Sequence, residues 1–395
     1  MLDVGVIIVV LLLGFRCKNL FKETLSSFDR KTLNLLWIYH LIFAVIYYFY
    51  VNVNSGDAKN YWFTVKEQVD TGLWDYIQLG FGTYFMYALN YIPSAIMQLS
   101  FLTGSLMYAL VGYLGFVYLY VIFKERIKYN TNIFKIPLFP ILLFLPNMHF
   151  WTCNVGKDTL LFFCIMFMFY GMSRSKIHWG KIVFSLLLAY LVRPHIAAFL
   201  VAAFGFAYLL DGDLKGYQKA FFIMVMIAGF ALVYESLMQY LRIESFDLDT
   251  ISSYSDDKVT KLSRDSTGSS VDMSSYPLPL KVFTFLYRPL FIDANGILGM
   301  LASVENFILL GLSVKLLWLN PFKIFFKSKT FFKALSVFLI LGAISFSLIL
   351  GNLGIMLRQK NMFIPALLFI CLWAFSYKTE KKVSLIPNPP SVNKD

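Results

Sequence analysis

The sequence predicts an all-α, polytopic integral membrane protein with about eleven transmembrane helices, several of them short or re-entrant. Hydrophobic residues make up 58% of the 395-residue chain, and its mean hydropathy is +0.65. Charged residues make up 15%, whereas soluble domains have about 25%. The apolar residues form runs of helical length between polar loops, which is typical of helices that cross a bilayer.

The apolar runs predict the helices in order along the chain. They fall near residues 2–15, 34–53, 101–123, 136–147, 158–173, 182–192, 196–210, 219–237, 297–319, 334–351 and 362–377. A full span needs about 20 residues, so we expect the shorter runs to tilt, extend into the interface or re-enter. The first run lacks a basic region and a small-residue cleavage site, so we interpret it as a retained helix rather than a removed signal peptide.

Residues 1–382 are predicted to form a single membrane domain, and 383–395 a cytoplasmic tail. Segment 54–99 is predicted to be external, with an amphipathic stretch to Tyr76 and a re-entrant part that Asn90 and Pro93 interrupt. Segment 238–281 is polar and rich in serine, and we expect an external loop that is mobile or folds only on a partner. Both a substrate lid and a plain disordered loop fit it.

The basic residues predict the orientation of the chain. The net charge is +12, and Lys and Arg concentrate in the short loops 16–33, 124–135, 174–181, 211–219 and 320–333. By the positive-inside rule these loops and the C-terminus lie in the cytoplasm. A basic patch for nucleic acid would instead cluster on one face, so we expect membrane lipids and no nucleic acid as partners. The four cysteines lack metal-ligand spacing and are interpreted as packing residues.

On the predicted outer side, charged residues lie at the ends of apolar runs, where charges are costly and usually functional. Asp57 follows Gly56 and either caps the next helix or takes a proton from a sugar hydroxyl. Lys157 and Asp158 open the run 158–173. Asp158 suits the helix dipole, while the cation of Lys157 beside free N–H groups predicts an anion site.

Arg193 interrupts an apolar stretch that otherwise extends from 182 to 210. Pro194 favours two short helices with a recessed turn over one continuous helix. Because Arg193 has no acid near it in sequence, its partner must be distant in sequence or a ligand, and a guanidinium fork suits phosphate. His195 either joins in phosphate binding or is a structural histidine.

Three further charges follow the polar segment. Arg288 is a candidate phosphate-binding residue, and Glu305 is a carboxylate within an apolar helix. Glu305 either pairs with Arg288 or Arg193, or takes part in catalysis. Arg358 either binds phosphate or is an interfacial anchor whose side chain reaches the polar boundary.

These residues together suit transfer of a sugar from a lipid-linked phosphate or pyrophosphate donor. An acceptor hydroxyl attacks the anomeric carbon, a carboxylate takes the proton, and cations stabilise the departing phosphate. The candidate catalytic carboxylates are Asp57, Asp158 and Glu305, and the candidate phosphate-binding residues are Lys157, Arg193, His195, Arg288 and Arg358. No nucleotide-binding, zinc-protease or serine-hydrolase motif is present and no cofactor or metal set is evident, although a divalent metal stays open.

A first short helix, a basic loop, a second helix and then GDAKNYW resemble bacterial exopolysaccharide and O-antigen polymerases of the Wzy and EpsG-like kind. The outer arginines in LVRPH and LRQK are similar in style. The chain also resembles GT-C-type membrane glycosyltransferases, which carry an acidic residue in an early external loop. Here the acid follows the second helix without a paired acid, which leaves polymerase and single-sugar transferase open.

The resemblance implies an undecaprenyl-linked saccharide substrate and a role in cell-surface polysaccharide synthesis at the bacterial inner membrane. Polysaccharide assembly and export proteins are the implied partners. The competing interpretation is a transporter or flippase for a lipid-linked or anionic solute. We expect polar groups on both sides of such a carrier, whereas here they cluster outside. A non-catalytic scaffold of an envelope complex would not explain recessed cations.

Overall fold

A computed structural model describes residues 1–54, 56–68, 70–174, 177–210, 270–273, 275–294 and 296–384, with a few positions between 215 and 227. Most of the predicted run 219–237 and of the predicted polar loop 238–281 lies outside the described residues, as does the end of the predicted tail from 385.

The described residues are mostly helical. Before residue 211 the helices are α1 (Leu2–Cys17), α2 (Ser27–Val53), α3 (Asp57–Glu67), α4 (Leu73–Gln78), α5 (Thr83–Asn90), α6 (Phe101–Arg126), α7 (Leu138–Ile141), α8 (Pro146–Thr152), α9 (Lys157–Ser173), α10 (Trp179–Val192) and α11 (Pro194–Leu210). After the polar segment come α12 (Leu278–Tyr287), α13 (Gly296–Leu317), α14 (Pro321–Lys327), α15 (Thr330–Ile349), α16 (Leu353–Gln359) and α17 (Ile364–Ser384). Single turns of 3₁₀-helix occupy Lys18–Phe21, Leu142–Phe144, Phe291–Asp293 and Lys360–Met362, and a π-helix occupies Tyr91–Ile96. A small antiparallel hairpin pairs β1 (Asn132–Ile133) with β2 (Ile136–Pro137).

Five helices in the described ranges are long and apolar enough to cross a membrane, namely α1 with its 3₁₀ extension, α2, α6, α13 and α15. Two bent pairs raise the number to seven if each counts as one span: α8 with α9, and α16 with α17. The protein is therefore a helical, membrane-embedded protein, as predicted. The expected count of about eleven spans is not confirmed.

Helix α6 forms the centre of the described helices and packs against α1, α2 and α9. Its glycines allow close approach, as is usual between membrane helices. A Cβ atom at Gly112 would lie 1.9 Å from the carbonyl oxygen of Thr152, and one at Gly104 would lie 2.5 Å from the Trp62 ring. These contacts bring α3 and the end of α8 directly against α6.

Segment 54–99, predicted to be external, is built differently from the expected amphipathic stretch. The stretch to Tyr76 is divided between α3 and α4, so its apolar stripe does not continue: Trp62 is fully buried but Trp74 is 67% exposed. The predicted interruption at Asn90 and Pro93 is confirmed as the junction between α5 and the π-helix. The amide of Asn90 bonds to the Tyr61 carbonyl and to the Tyr108 hydroxyl, which fixes this junction to α3 and α6.

The run predicted at 136–147 is not one helix. It is divided among β2, α7, a 3₁₀ turn and the start of α8. Pro137, Pro140 and Pro146 explain the division, since proline removes a backbone donor and clashes with the preceding helical turn.

A short described segment within the predicted polar loop 238–281, residues 270–273, is attached to the turn before α16. The Val271 N–H donates to the Gly351 carbonyl at 2.8 Å, and Ser270 pairs with Asn352 in an antiparallel bridge. Met273 is fully buried beside them.

Candidate functional site

Three helix breaks within the apolar part of the protein carry most of the predicted site residues. The axes of α8 and α9 differ by 112°, and Lys157 and Asp158 begin α9 at that bend. The second break lies between α10 and α11 at Arg193. The third is a 59° bend that follows Arg358 and Lys360, before α17. Irregular backbone at membrane depth occurs where protein or a polar cavity encloses it, so these breaks indicate a site.

Asp158 is the carboxylate at which all three of these breaks meet. Its Oδ2 accepts a hydrogen bond from Arg358 Nε, and its Oδ1 lies 3.0 Å from Arg193 Nη2 as an ion pair without hydrogen-bond alignment. The Asp158 side chain is only 6% exposed. It was expected to satisfy the helix start, but α9 has no side-chain cap, and the carboxylate turns to the two arginines instead.

Asp57 joins the same group through Arg358. Its Oδ2 accepts a hydrogen bond from Arg358 Nη1 at 3.2 Å, and its side chain is 57% exposed. The interpretation of Asp57 as a helix cap is wrong, because Gly56 occupies the cap position and Asp57 is the first residue of α3. Its other predicted role, as the acceptor of a proton from a sugar hydroxyl, stays a prediction.

Lys157 lies beside this pair of carboxylates and is buried. Its Nζ donates to the Thr83 hydroxyl at 3.1 Å and lies 5.6 Å from the centre of the Tyr61 ring. We call Asp57, Lys157, Asp158, Arg193 and Arg358 the arginine cluster. It brings together five of the eight residues predicted from the sequence.

Arg193 has the backbone that Pro194 predicts. It ends α10 in an extended conformation, so two short helices replace one long one. Its partners are distant in sequence, as expected: besides Asp158, its Nη1 donates to the Gln359 side chain. The guanidinium is therefore held in place by α9 and α16.

A cavity of about 200 Å³ adjoins the arginine cluster. Trp151 lines this cavity and also lies under the Arg358 guanidinium, 5.6 Å from the ring centre. The other lining side chains are mostly aromatic or aliphatic and come from α2, α8, α13 and α16; they include Phe43, Tyr50, Phe150, Leu301 and Leu357. We call it the Glu305 cavity after its one acidic lining residue.

Glu305 stands near the middle of α13 and is 2% exposed. Its Oε2 accepts a hydrogen bond from the Asn147 N–H at 2.8 Å. Its Oε1 has no hydrogen-bond partner among the described residues. A buried carboxylate oxygen without a partner is costly, and such groups are candidates for catalysis or ligand binding.

Arg288 lies apart from the arginine cluster. Its guanidinium binds Asp293 with two hydrogen bonds of 2.8 and 2.7 Å. This pair lowers the pKa of Asp293 and raises that of Arg288, in both cases chiefly through the hydrogen bond between them. The expectation that Glu305 pairs with Arg288 or Arg193 is therefore wrong, since both arginines bind aspartates.

His195 is the remaining predicted residue. Its ring lies 5.8 Å from the Phe346 ring and 6.2 Å from the Phe199 ring. These aromatic contacts favour the structural interpretation over phosphate binding.

Lys360 is a residue that the sequence analysis passed over. It is fully buried, and its Nζ donates to the side chain of Asn306 and, at 3.3 Å, to the Leu286 carbonyl. The sequence signal that could have indicated Lys360 is its position at the start of a long apolar run. From sequence alone, such a buried lysine cannot be distinguished from one at the membrane interface. Asn147, Trp151 and Gln359 were also missed, because uncharged polar and aromatic residues are common in membrane helices.

The described residues contain no group of three or more His, Cys, Asp and Glu side chains that could hold a metal ion. In the arginine cluster, Arg193 and Arg358 form ion pairs with the carboxylates. The chain matches no model of a known protein family, no curated protein and no solved structure.

Proposed function

We propose that the protein is a membrane glycosyltransferase or polysaccharide polymerase that uses a polyprenyl-(pyro)phosphate-linked sugar donor. The observation that carries the proposal is the adjacency of the arginine cluster and the Glu305 cavity, since Trp151 lines the cavity and contacts Arg358 of the cluster. One donor molecule could bind its phosphate to the cluster and its sugar in the cavity. Aromatic walls suit the apolar faces of a sugar ring. The cavity has a volume of about 200 Å³, which leaves little room for other groups beside the sugar.

The charge balance of the cluster supports an anionic ligand. Lys157, Arg193 and Arg358 face the two carboxylates of Asp57 and Asp158, which leaves one positive charge without a counter-charge. Asp57 is the exposed member, so a phosphate could replace it on Arg358 without unburying another group. Guanidinium groups bind phosphate in a two-pronged geometry and would stabilise the departing anion.

The proposed reaction is a displacement at the anomeric carbon. The acceptor hydroxyl oxygen forms the new bond, the bond from the anomeric carbon to the phosphate oxygen breaks, and the hydroxyl proton passes to a carboxylate. Glu305 is the preferred acceptor, because it lines the cavity and its Oε1 has no hydrogen-bond partner among the described residues. Asp57 is the second candidate, while Asp158, held by two arginines, is proposed to orient them.

We further propose that the site lies at the outer face of a bacterial inner membrane and that the C-terminus is cytoplasmic. The positive-inside distribution of Lys and Arg supports this orientation. The short apolar helices α10, α11 and α12 would bring the number of membrane segments toward the expected eleven. Polysaccharide assembly and export proteins are the proposed partners.

A transporter or flippase of a lipid-linked or anionic solute is the second candidate. The observation that favours it is the set of helix breaks, because discontinuous helices line the binding sites of many transporters. It does not account for Glu305, which lines a mostly apolar cavity and whose Oε1 has no hydrogen-bond partner among the described residues.

The two functions can be separated with purified protein in vesicles that contain an undecaprenyl-pyrophosphate-linked saccharide. We expect mass spectrometry to detect a new glycosidic bond together with released undecaprenyl pyrophosphate, without ATP. Movement of the intact donor across the bilayer, with no new bond, would instead establish the transporter. A donor that is neither bound nor consumed, when acceptor saccharides of several kinds are supplied, would exclude both.

A further inference from the structure

A second cavity, of about 150 Å³, is lined by four lysines. Lys323 and Lys327 come from α14, one helical turn apart, and Lys378 and Lys381 come from α17. Ile324 and Tyr377 supply apolar surface between them. We call it the lysine cavity.

The lysine cavity lies about one bilayer thickness from the arginine cluster. Helix α15 begins beside α14 and ends just before α16, which carries Arg358. Its 20 residues correspond to roughly 30 Å at about 1.5 Å per residue, which is the thickness of a hydrocarbon core. The two sites therefore belong to opposite faces of the membrane.

Helix α14 has the character of a helix that lies in the membrane interface. Phe322 and Phe326 are 77% and 70% exposed, and Trp318 just before them is also exposed. Exposed aromatic side chains of this kind sit at the level of lipid headgroups, while lysines reach outward past them. The mouth of the lysine cavity is thus at the depth where lipid phosphates lie.

The charged side chains that line the lysine cavity are all positive. Among the residues that the structure describes, its lining contains no Asp or Glu. Glu380, on the same helix as Lys378 and Lys381, binds Lys128 at 2.6 Å instead. Lys381 lies 4.7 Å from the centre of the Tyr377 ring, so the cation stays close to the cavity wall. Lysines from two helices around one space favour an anion between them.

We propose that the lysine cavity binds the phosphodiester headgroup of an anionic phospholipid in the leaflet opposite the arginine cluster. The lysines bind the phosphate, and the exposed Phe322 and Phe326 contact the acyl chains. A lipid is favoured over free phosphate, because the same short helix supplies both the cations and the apolar surface. The inference does not depend on the reaction proposed for the other face.

The test uses the full-length protein in detergent micelles and native mass spectrometry, with titrations of phosphatidylglycerol, phosphatidylcholine and inorganic phosphate. We expect the wild type to retain one phosphatidylglycerol more tightly than any phosphatidylcholine. In Lys323→Gln/Lys378→Gln this retention should fall about 30-fold, since each lysine near an anionic headgroup strengthens binding roughly fivefold.

The matched control is Lys22→Gln/Lys31→Gln, which removes two exposed lysines before and at the start of α2, on the same predicted side. It should retain phosphatidylglycerol as the wild type does. Equal losses in both double variants would show only a general charge effect and overturn the proposal. Displacement of the lipid by millimolar inorganic phosphate would show a free-phosphate site instead. Gel filtration checks that both variants are folded, and Lys327→Gln/Lys381→Gln serves as the second test pair.

Discussion

Arg358 joins two parts of the chain that are far apart in sequence. It binds Asp57 at the start of α3 and Asp158 at the start of α9, and its guanidinium also lies over Trp151. Its predicted alternative, an interfacial anchor, does not fit these contacts. A buried ion pair is weak evidence for stability by itself, since desolvation offsets much of the attraction. The geometry is more informative as a means of fixing α3, α8 and α9 around Arg358.

Replacing Arg193 with lysine should reduce glycosyl transfer while leaving the protein folded. Lysine retains the charge but cannot bind Asp158 and Gln359 in the same two-pronged way. Loss of one charged hydrogen bond of about 1.5–3 kcal/mol corresponds to roughly a 10- to 150-fold decrease in rate.

The effect of Arg193→Lys is measured as polymer or glycolipid output at equal protein level. Arg174→Lys, whose partner is Glu125 in another part of the chain, is the control. Normal output from Arg193→Lys would exclude phosphate binding by this arginine.

Glu305→Gln and Asp57→Asn separate the two candidate proton acceptors. If Glu305 takes the proton, Glu305→Gln should lower product formation by about 10²- to 10⁴-fold while the lipid-linked precursor accumulates. Asp57→Asn should retain part of the activity, because its side chain is exposed and contacts only one member of the cluster in the described residues. Chain length and precursor pool are measured together. Wild-type product from Glu305→Gln, combined with none from Asp57→Asn, would assign the role to Asp57.

Asp293 should make stability depend on pH in the acid range. Its pKa lies below the ordinary value of 3.8 because of the Arg288 hydrogen bond, so the pair stabilises the fold above that pH. The contribution is lost as the pH falls through the lowered pKa. We expect Asp293→Asn to unfold at a lower temperature than the wild type at pH 7. Its free energy of unfolding should fall by about 1 kcal/mol, as is usual for a partly exposed ion pair. The difference in unfolding temperature between the two proteins should shrink below pH 3.8.

Thermal unfolding in detergent measures this difference, and Asp70→Asn, at an exposed position, is the control. A difference that persists at low pH would indicate that the variant has lost packing rather than the ion pair.

Single residues were predictable where a local signal existed. Pro194 predicts the break at Arg193, and the absence of a nearby acid predicts a distant partner. The identity of that partner, Asp158, could not be predicted, because the sequence does not say which helix breaks meet. Lys360 was missed for a related reason: burial depends on neighbouring helices, and its Asn306 partner comes from α13.

At the scale of elements, the breaks between helices matter more than the helices themselves. The bend between α8 and α9 positions Trp151 and Asp158 on adjacent sides of Arg358. Helix α6 supports that bend through Gly112, where the Thr152 carbonyl approaches closely. The run pattern predicted most of the helices, yet it joined residues 136–147 into one, because hydropathy does not weigh prolines. The breaks that form the site are the places where the hydropathy signal is weakest.

Gly112→Ala should disturb the site from a distance. Its methyl group would meet the Thr152 carbonyl, a backbone atom that cannot move aside without displacing α8. Overpacking of this kind costs about 1–3 kcal/mol, and we expect both a lower unfolding temperature and reduced transfer activity. Gly311→Ala in α13 is the control, since nothing lies within 4 Å of the added atom. Equal unfolding temperatures for the two variants would mean that α6 and α8 are not in contact in the membrane.

At the scale of the whole molecule, the arginine cluster and the lysine cavity mark two opposite ends of α15. Membrane embedding and helical class followed from composition alone, since lipid leaves little choice of backbone structure. The orientation rests on the loop charges, because the helices themselves do not differ between the two directions.

Cysteine labelling can test the orientation. Asp70→Cys, in the segment predicted to be external, should react with a membrane-impermeant maleimide on intact spheroplasts, in a background where Cys17 is serine. Lys135→Cys in the hairpin should react only after the membrane is permeabilised. Both positions are exposed, and the other three native cysteines are buried. The reverse labelling pattern would put the arginine cluster on the cytoplasmic side and remove the basis for an external donor.

The residues that form the ion pairs of the arginine cluster are synthesised in a fixed order. A ribosome makes the N-terminal residues first, so Asp57 emerges earliest, then Lys157 and Asp158 together, then Arg193, and Arg358 last. Each arginine thus enters the membrane when a carboxylate it will bind has already been synthesised. Lys157, a cation, is made next to its own acid. During biogenesis no arginine of this cluster has to wait within the lipid for a counter-ion that has yet to be translated.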